Sequence, residues 1–178
     1  EIDAGKVTSY SGNYAAYLER KGFFHPSQAG FRHSHSTFDH VHQLHAAINR
    51  TLHRRKRLPV IFLDIIKAFD RVNHTRLLFK LYAHAGISGK AWGWLQAFLG
   101  NREFRITQGG WASAFVPATA GVPQGAVLSP LLFVVYINDL AVNCDMSMLL
   151  ALFADDIAAW PIMITKFKAL CDVMSTHP

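Results

Sequence analysis

The apolar positions along the chain fall into short periodic runs separated by charge and glycine. Ser36, with Asp39 three residues on, forms a capping-box start, after which Phe38, Val41, Leu44, Ile48 and Leu52 recur at helical spacing. The basic run His53-Arg54-Arg55-Lys56-Arg57 closes that helix with the charge a helix C-terminus favours. Leu58–Leu63 is a short apolar, β-branched run bounded by charge, which predicts a buried strand. Leu77, Leu78, Leu81, Tyr82 and Ala85 form a second helical stripe that stops at Gly86. Trp92, Leu95, Phe98 and Leu99 form a third, ending near Gly100-Asn101. Phe104–Thr107 and Ala114–Ala118 flank Gly109-Gly110 as a hairpin. Past Pro130 an apolar helix is predicted over Leu131–Leu140, and Leu149–Phe153 with Ile157–Trp160 make a second hairpin with Asp155-Asp156 at its tip. Helices mixed with hairpins point to an α+β fold rather than a purely parallel α/β sheet.

Composition narrows the class. The 178 residues have the length of one domain or a piece of one, and with 51% hydrophobic and 17% charged residues the chain is not a disordered, solvating segment. No repeat, low-complexity tract or linker divides it. The first methionine is Met146 and no signal or transit peptide is visible, so the chain reads as an internal stretch of a longer protein. The apolar runs near Leu131–Ile137 and Met148–Ala154 are too short to span a membrane, so a soluble fragment with no membrane partner is expected. Cys144 and Cys171 cannot build a disulfide framework, which favours a reducing, intracellular compartment. Charge is uneven: residues 1–110 carry sixteen Lys and Arg against seven acids, a balance of +9, whereas residues 111–178 balance to −3. The first part suits phosphates. The tract Arg54–Arg57 reads as a solvated helix end or a nucleic-acid contact, with nuclear localisation a third use.

Three carboxylates stand in apolar surroundings. Asp64 ends the strand VIFLD, and Asp155-Asp156 interrupt LLALF and IAAW, with no lysine or arginine beside them in the sequence. A carboxylate left unpaired among apolar groups costs several kcal/mol, about the size of a lost ion pair, or takes up a proton. Asp-Asp is also good turn chemistry, and Asp64 could cap the next helix. Together, two strand ends delivering carboxylates suit a pair of divalent cations, since Mg²⁺ takes hard oxygen ligands. The segment Gly121-Val122-Pro123-Gln124-Gly125-Ala126-Val127-Leu128-Ser129-Pro130 adds a sharp loop whose Gln124 amide can contact a substrate. His33, His35, His40, His42 and His45 lie close together but lack a cysteine partner or compact ligand spacing, so solvated or phosphate-facing histidines are a simpler account than zinc. Trp92, Trp94, Trp111 and the phenylalanines read as core, while an exposed one could stack on a base.

FLDIIKAFDRVNH, AGVPQGAVLSPLLFVVYINDL and FADD, in that order, resemble motifs A, B and C of a reverse transcriptase of the non-LTR (LINE-type) retrotransposon kind. QAGFRHSHSTFDHVHQL resembles the fingers segment before motif A, and FLGNREFRITQGGWAS the segment between A and B, so the likeness covers roughly residues 26–160. The resemblance implies a right-hand polymerase fragment. Its fingers part spans about residues 1–58 and its palm, with inserted fingers elements, about 59–178, built on an RRM-like antiparallel sheet flanked by helices, with no thumb. It implies RNA-directed DNA polymerase chemistry, in which a primer 3′-hydroxyl attacks the α-phosphate of a dNTP and pyrophosphate leaves. The implied partners are an RNA template, a DNA primer and dNTPs, and the implied cofactor is a pair of Mg²⁺ ions, with Mn²⁺ as a substitute. Asp64, Asp155 and Asp156 then look like the metal-binding catalytic triad. Ile65 matches the backbone position at the metal and triphosphate, Phe69 the steric gate against a ribose 2′-hydroxyl, Gln124 and Gly125 the nucleotide contacts of motif B, and Arg32 a fingers arginine. Asp70 and Arg71 read as a scaffold ion pair. Ile66 and Ile157-Ala158 depart from the family's more polar choices. Two other readings stay open: a non-catalytic nucleic-acid-binding remnant of such an element, and an RNA-directed RNA polymerase, which Phe69 and the PQGAVLSP form disfavour.

Overall fold

The computed structural model describes residues 2–3, 6–7, 14–100, 102–143 and 147–162; Asn101, Cys144, Met146 and Cys171 lie outside them. Short strands β1 (Ile2–Asp3) and β2 (Lys6–Val7) are followed by helices α1 (Tyr14–Arg20) and α2 (Thr37–His53), then strand β3 (Ile61–Asp64). A 3₁₀ turn at Phe69–Arg71 leads to α3 (His74–Ala83) and α4 (Gly89–Leu99). Four two-residue strands follow: β4 (Glu103–Phe104), β5 (Thr107–Gln108), β6 (Trp111–Ala112) and β7 (Val116–Pro117). Helix α5 (Ser129–Ile137), a 3₁₀ turn at Asn138–Leu140, and strands β8 (Met148–Phe153) and β9 (Asp156–Pro161) complete the order. These helices and small antiparallel sheets are the α+β class expected. The chain forms two compact units, one of residues 1–24 with 67–137 and one of residues 25–66 with 138–178. None of the described helices is long and apolar enough to cross a membrane.

In the first unit α3 packs against both α4 and α5. Asn73 caps α3, its side-chain oxygen accepting from the Arg76 N–H at 2.9 Å. At the other end Gly86 adopts φ +71, which lets the Ile87 N–H return to the Leu81 carbonyl at 2.9 Å. Leu77, Leu81 and Ala85 are buried as the stripe predicts, while Tyr82 is exposed. Helix α5 is apolar all round and six of its nine residues are buried, so it is an enclosed element rather than a surface helix. The Gly109-Gly110 hairpin forms, with Gln108 opposite Trp111. It is a bare ribbon, however, and Trp111, Phe104 and Phe115 on it are exposed rather than core. Trp94 is exposed too, stacked on Phe98 at 5.3 Å along the outer side of α4.

The second unit is built on an antiparallel sheet of order β3-β9-β8. Its register fixes two faces, because side chains alternate along each strand. On one face Ala151, Ala158 and Trp160 pack with Leu44 and Ala47 of α2 and with Leu58 and Val60. On the other, Leu150, Leu152 and Ile157 pack with Ile65 and Ala141. The capping box forms as predicted, with Asp39 accepting from the Ser36 N–H at 2.9 Å.

Two expectations shift here. Helix α2 presents Ala47 and Thr51 inward and leaves Phe38, Val41 and Leu52 exposed. The reason is room: the bulky, fully buried Trp160 needs small neighbours, and Ala47 supplies one. The Leu58–Leu63 run forms its strand only from Ile61 and at the sheet edge, so Phe62 is 73% and Leu63 53% exposed rather than buried. We expect Leu152→Ala to cost about 2–5 kcal/mol of stability in a urea titration. Leu52→Ala, at a position the periodicity places inside, should change it by no more than about 0.5 kcal/mol.

Candidate active site

Antiparallel pairing of β3 with β9 makes Asp64 and Asp156 direct cross-strand partners, so their side chains leave the same face of the sheet. Asp155 lies in the two-residue turn between β8 and β9, where Phe153 pairs with Asp156. The acid pair therefore divides, one residue at the tip and one at the head of the strand. Like charges directly opposite on a sheet repel, and no ion pair among the described residues relieves them. A cavity of about 410 Å³ opens beside them, with Asp64, Asp156, Phe62, Phe153, Thr37 and His40 in its wall. Burial lowers the His40 pKa, opposed in part by Asp39 and by a hydrogen bond with the Ser27 backbone, and aided by His35.

The turn that carries Asp155 is held from outside. Its first residue, Ala154, adopts φ +55, a left-handed conformation that a side chain disfavours. The loop containing Gln28 runs alongside β8: Leu152 donates to the Ser27 carbonyl and Ala29 donates back to the Leu152 carbonyl, both at 2.8 Å. Gln28 is fully buried, and its side-chain Oε1 accepts from the Gly30 N–H at 2.7 Å and the Ala154 N–H at 3.2 Å. Gly30 fits so closely against the turn that a Cβ there would overlap the Ala154 nitrogen and reach within 3.0 Å of the Phe153 carbonyl carbon. In the sequence Gln28 and Gly30 show only as the opening of the QAGFR stretch that resembles the fingers segment, which gives neither a role of its own. Arg32, in the same loop, directs its Nη1 to the carbonyls of His25 at 3.1 Å and Gln28 at 2.8 Å. Part of its guanidinium is thus engaged in bracing the loop. Ile65 puts its side chain into the lower core with Leu152 and Ile157.

The remaining sequence candidates lie in the other unit. There the Gly121 N–H donates to the Val72 carbonyl at 2.8 Å and the Val122 N–H to the Phe69 carbonyl at 3.0 Å, which docks the glycine loop on the segment after β3. Gly121 takes φ +83, and a Cβ on it would come within 2.9 Å of the Asp70 carbonyl oxygen, so glycine is required twice over. Its carbonyl receives the Arg102 guanidinium at 2.6 Å and lies 2.7 Å from the His74 ring. These contacts bring Phe69 and Gln124 onto one small platform. Phe69 stacks on the buried Phe133, centroids 4.5 Å apart. Gln124 is exposed and donates its amide to Asp70 at 3.0 Å, so Asp70 is engaged by Gln124 and not by Arg71. Gly125 is exposed at φ +85.

The donor chemistry of Asp64, Asp155 and Asp156 suits a hard divalent cation. Among the described residues, however, no three His, Cys, Asp or Glu side chains stand close enough to hold a metal as placed, so the three carboxylates are gathered without being closed into a ligand set.

Comparison with known proteins bears on what this arrangement does. A family model described as reverse transcriptase (RNA-dependent DNA polymerase) matches residues 12–175. The chain is 33% identical over 149 residues to the RNA-directed DNA polymerase from mobile element jockey of Drosophila melanogaster, covering 80% of this chain and 16% of that protein. It is 34% identical over 144 residues to the probable RNA-directed DNA polymerase from transposon X-element of the same fly, covering 79% and 16%. In fold it is similar to apo telomerase from Candida tropicalis truncated from its C-terminal domain, with a TM-score of 0.61 at 17% identity over 92% of this chain and 35% of that one. The chain thus spans about a sixth of the length of the curated relatives it matches.

The turn clamp has a direct test. Gln28→Met removes the shared acceptor and leaves two buried N–H groups unpaired, which costs about 1–3 kcal/mol. Gly30→Ala costs a similar amount, about 1–3 kcal/mol, through overlap with the turn. In both variants amide exchange at Ala154 should accelerate while exchange in α5 stays as it was; unchanged exchange at Ala154 would mean that Gln28 does not hold the turn.

Proposed function

Because this chain belongs to the reverse transcriptase (RNA-dependent DNA polymerase) family, we propose that it forms part of the fingers and palm of a retrotransposon RNA-directed DNA polymerase, with residues up to about 58 in the fingers and about 59–178 in the palm with inserted fingers elements. The observation that carries the reading is the cross-strand pairing of Asp64 with Asp156, with Asp155 in the adjoining turn. Two carboxylates kept face to face, without a cation of the protein's own, are relieved when a cation from solution joins them or one of them takes up a proton, and a divalent ion relieves both at once.

In this reading the substrates are an RNA template, a DNA primer and a dNTP, and Mg²⁺ is the physiological ion, with Mn²⁺ as its substitute. Two such ions, when bound, would supply charge neutralisation at the attacking and leaving oxygens. Asp64, Asp155 and Asp156 hold the negative charge that attracts them, and Gln28 keeps the Asp155 turn in shape. The primer 3′-oxygen forms the new bond to the α-phosphorus, its proton leaves, and the bond to pyrophosphate breaks. The Ile65 main chain is assigned to the triphosphate. Phe69, its ring backed by Phe133, is assigned to the sugar, where a rigid aromatic edge excludes a 2′-hydroxyl. Gln124, oriented by Asp70, and Gly125, which brings bare backbone to the surface, are assigned to the base pair being formed. Arg32 is assigned to the fingers side, as a brace for the loop that holds the turn.

A second reading is a nucleic-acid-binding remnant that does not turn over, which the +9 balance of residues 1–110 would serve without the carboxylates. Primer extension on an RNA template in Mg²⁺, with the protein extended to the length of its relatives, separates the two. Parent protein should extend, and Asp155→Asn should lose at least about 100-fold in rate. Salt-sensitive binding without extension selects the remnant. If Asp155→Asn extends as well as its parent, the carboxylate assignment is wrong. In the same assay Phe69→Val should raise rNTP incorporation relative to dNTP by about tenfold or more. An unaltered ratio would remove Phe69 from the sugar site.

A further inference from the structure

Helix α2 lies over one face of the β3-β9-β8 sheet with a cavity at each end. The one at its start contains Asp64 and Asp156. The one at its end, about 370 Å³, has the opposite character: Arg50, Arg54 and Lys56 line it together with Leu58, Leu149 and Trp160. Trp160 is the fifth residue of β9 and Asp156 the first, so these two residues stand about 14 Å apart along the strand at some 3.4 Å per residue.

Two independent features of this second cavity call for an anion. Its three cations come from the last turn of α2 and the turn after it, and none of them has a hydrogen-bond or carboxylate partner among the described residues. All three are exposed, so water solvates them, and they gather positive charge at the rim of one cavity without a partner of their own. The second feature is Trp160. Its indole is fully buried, and Nε1–H finds no acceptor among the described residues. A buried donor without an acceptor is rare, and each one calls for an explanation.

We propose that this cavity binds a phosphate group, at a site separate from the aspartates. A phosphate presents several acceptor oxygens and negative charge, so it can take bidentate hydrogen bonds from arginine and a point charge from lysine while offering an oxygen to a neutral N–H. The apolar rim of Leu58 and Leu149 beside the cations suits the sugar attached to that phosphate better than it suits a free acid. The phosphate belongs to the backbone of a polynucleotide, in keeping with the +9 balance of residues 1–110. A small phosphate ligand, such as a nucleotide, is the other source of the same chemistry. The site depends neither on the carboxylates nor on catalysis.

The test uses the 178-residue chain in EDTA, so that Asp64, Asp155 and Asp156 hold no cation. The Trp160 indole N–H resonance of ¹⁵N-labelled protein is assigned by elimination with Trp92→Phe, Trp94→Phe and Trp111→Phe. It is then followed while an unphosphorylated twelve-nucleotide RNA or, separately, inorganic phosphate is added. The resonance should move with the RNA. The double variant Arg54→Gln/Lys56→Gln, both exposed positions, should bind fluorescent RNA at least tenfold more weakly and lower the slope of log affinity against log salt by about 1.4, that is about 0.7 per contact. Arg50→Gln should weaken binding independently. Movement with RNA alone identifies a polynucleotide backbone; equal movement with inorganic phosphate identifies a small phosphate ligand. No movement with either, or movement that persists unchanged in the double variant, overturns the proposal.

Discussion

Asp64 and Asp156 face each other across an antiparallel pair, and much of the second unit follows from keeping them there. A slip of β9 by one residue would turn Ile157 out of the cluster with Leu152 and Ile65 and bring Ala158 in its place. The register is therefore enforced by apolar packing on both faces, against a repulsion of a few tenths to about 1 kcal/mol that directly opposed like charges bring. Packing on that scale easily prevails, because one buried leucine outweighs it. The carboxylates do not shape the sheet. The sheet shapes them.

The turn between β8 and β9 needs separate help, because hairpin pairing ends at Phe153 and Asp156 and does not govern the two residues between. A loop far away in sequence supplies it. Gln28 and Gly30 act by opposite means, one through an acceptor oxygen and the other through the absence of a side chain, and both act on Ala154. The first unit repeats the device in another form: Gly121 is pressed against Asp70 while Arg102 and His74 converge on its carbonyl. In each case a glycine with no room for a Cβ brings a loop against the segment that bears a candidate functional residue.

Local patterns were legible from the chain itself. The capping box at Ser36, the glycine stop at Gly86, both hairpins and the apolar helix after Pro130 all follow from short-range rules, and all are present. The ordered motifs pointed to the family that the comparison supports. What periodicity could not supply was the rotation of α2, which depends on the volume of Trp160 far along the chain, or the edge position of β3, which depends on how many strands join the sheet. The exposure of Trp94 and Trp111 escaped for a related reason, since aromatic character says nothing about whether another layer exists to cover it. Gln28 was hidden most completely. A glutamine reads as a surface residue unless one knows that a backbone N–H from residue 154 will be waiting for it.

The left-handed φ of Ala154 has a consequence for anyone who would engineer this chain. Glycine at 154 would relieve the backbone conformation that alanine tolerates only under restraint, and a β-branched residue would aggravate it. A search for thermostable variants scored on melting temperature alone would thus be drawn to Ala154→Gly, yet glycine keeps the backbone nitrogen that Gln28 holds and Gly30 abuts, so the demand on both positions persists. The three positions form one epistatic unit, so single-site scores at 28, 30 and 154 will not sum. A library that varies them together, with the geometry of the Asp155 carboxylate as a second criterion, would explore that unit; one that varies them singly would record a gain at 154 and losses at 28 and 30, and miss how they depend on one another.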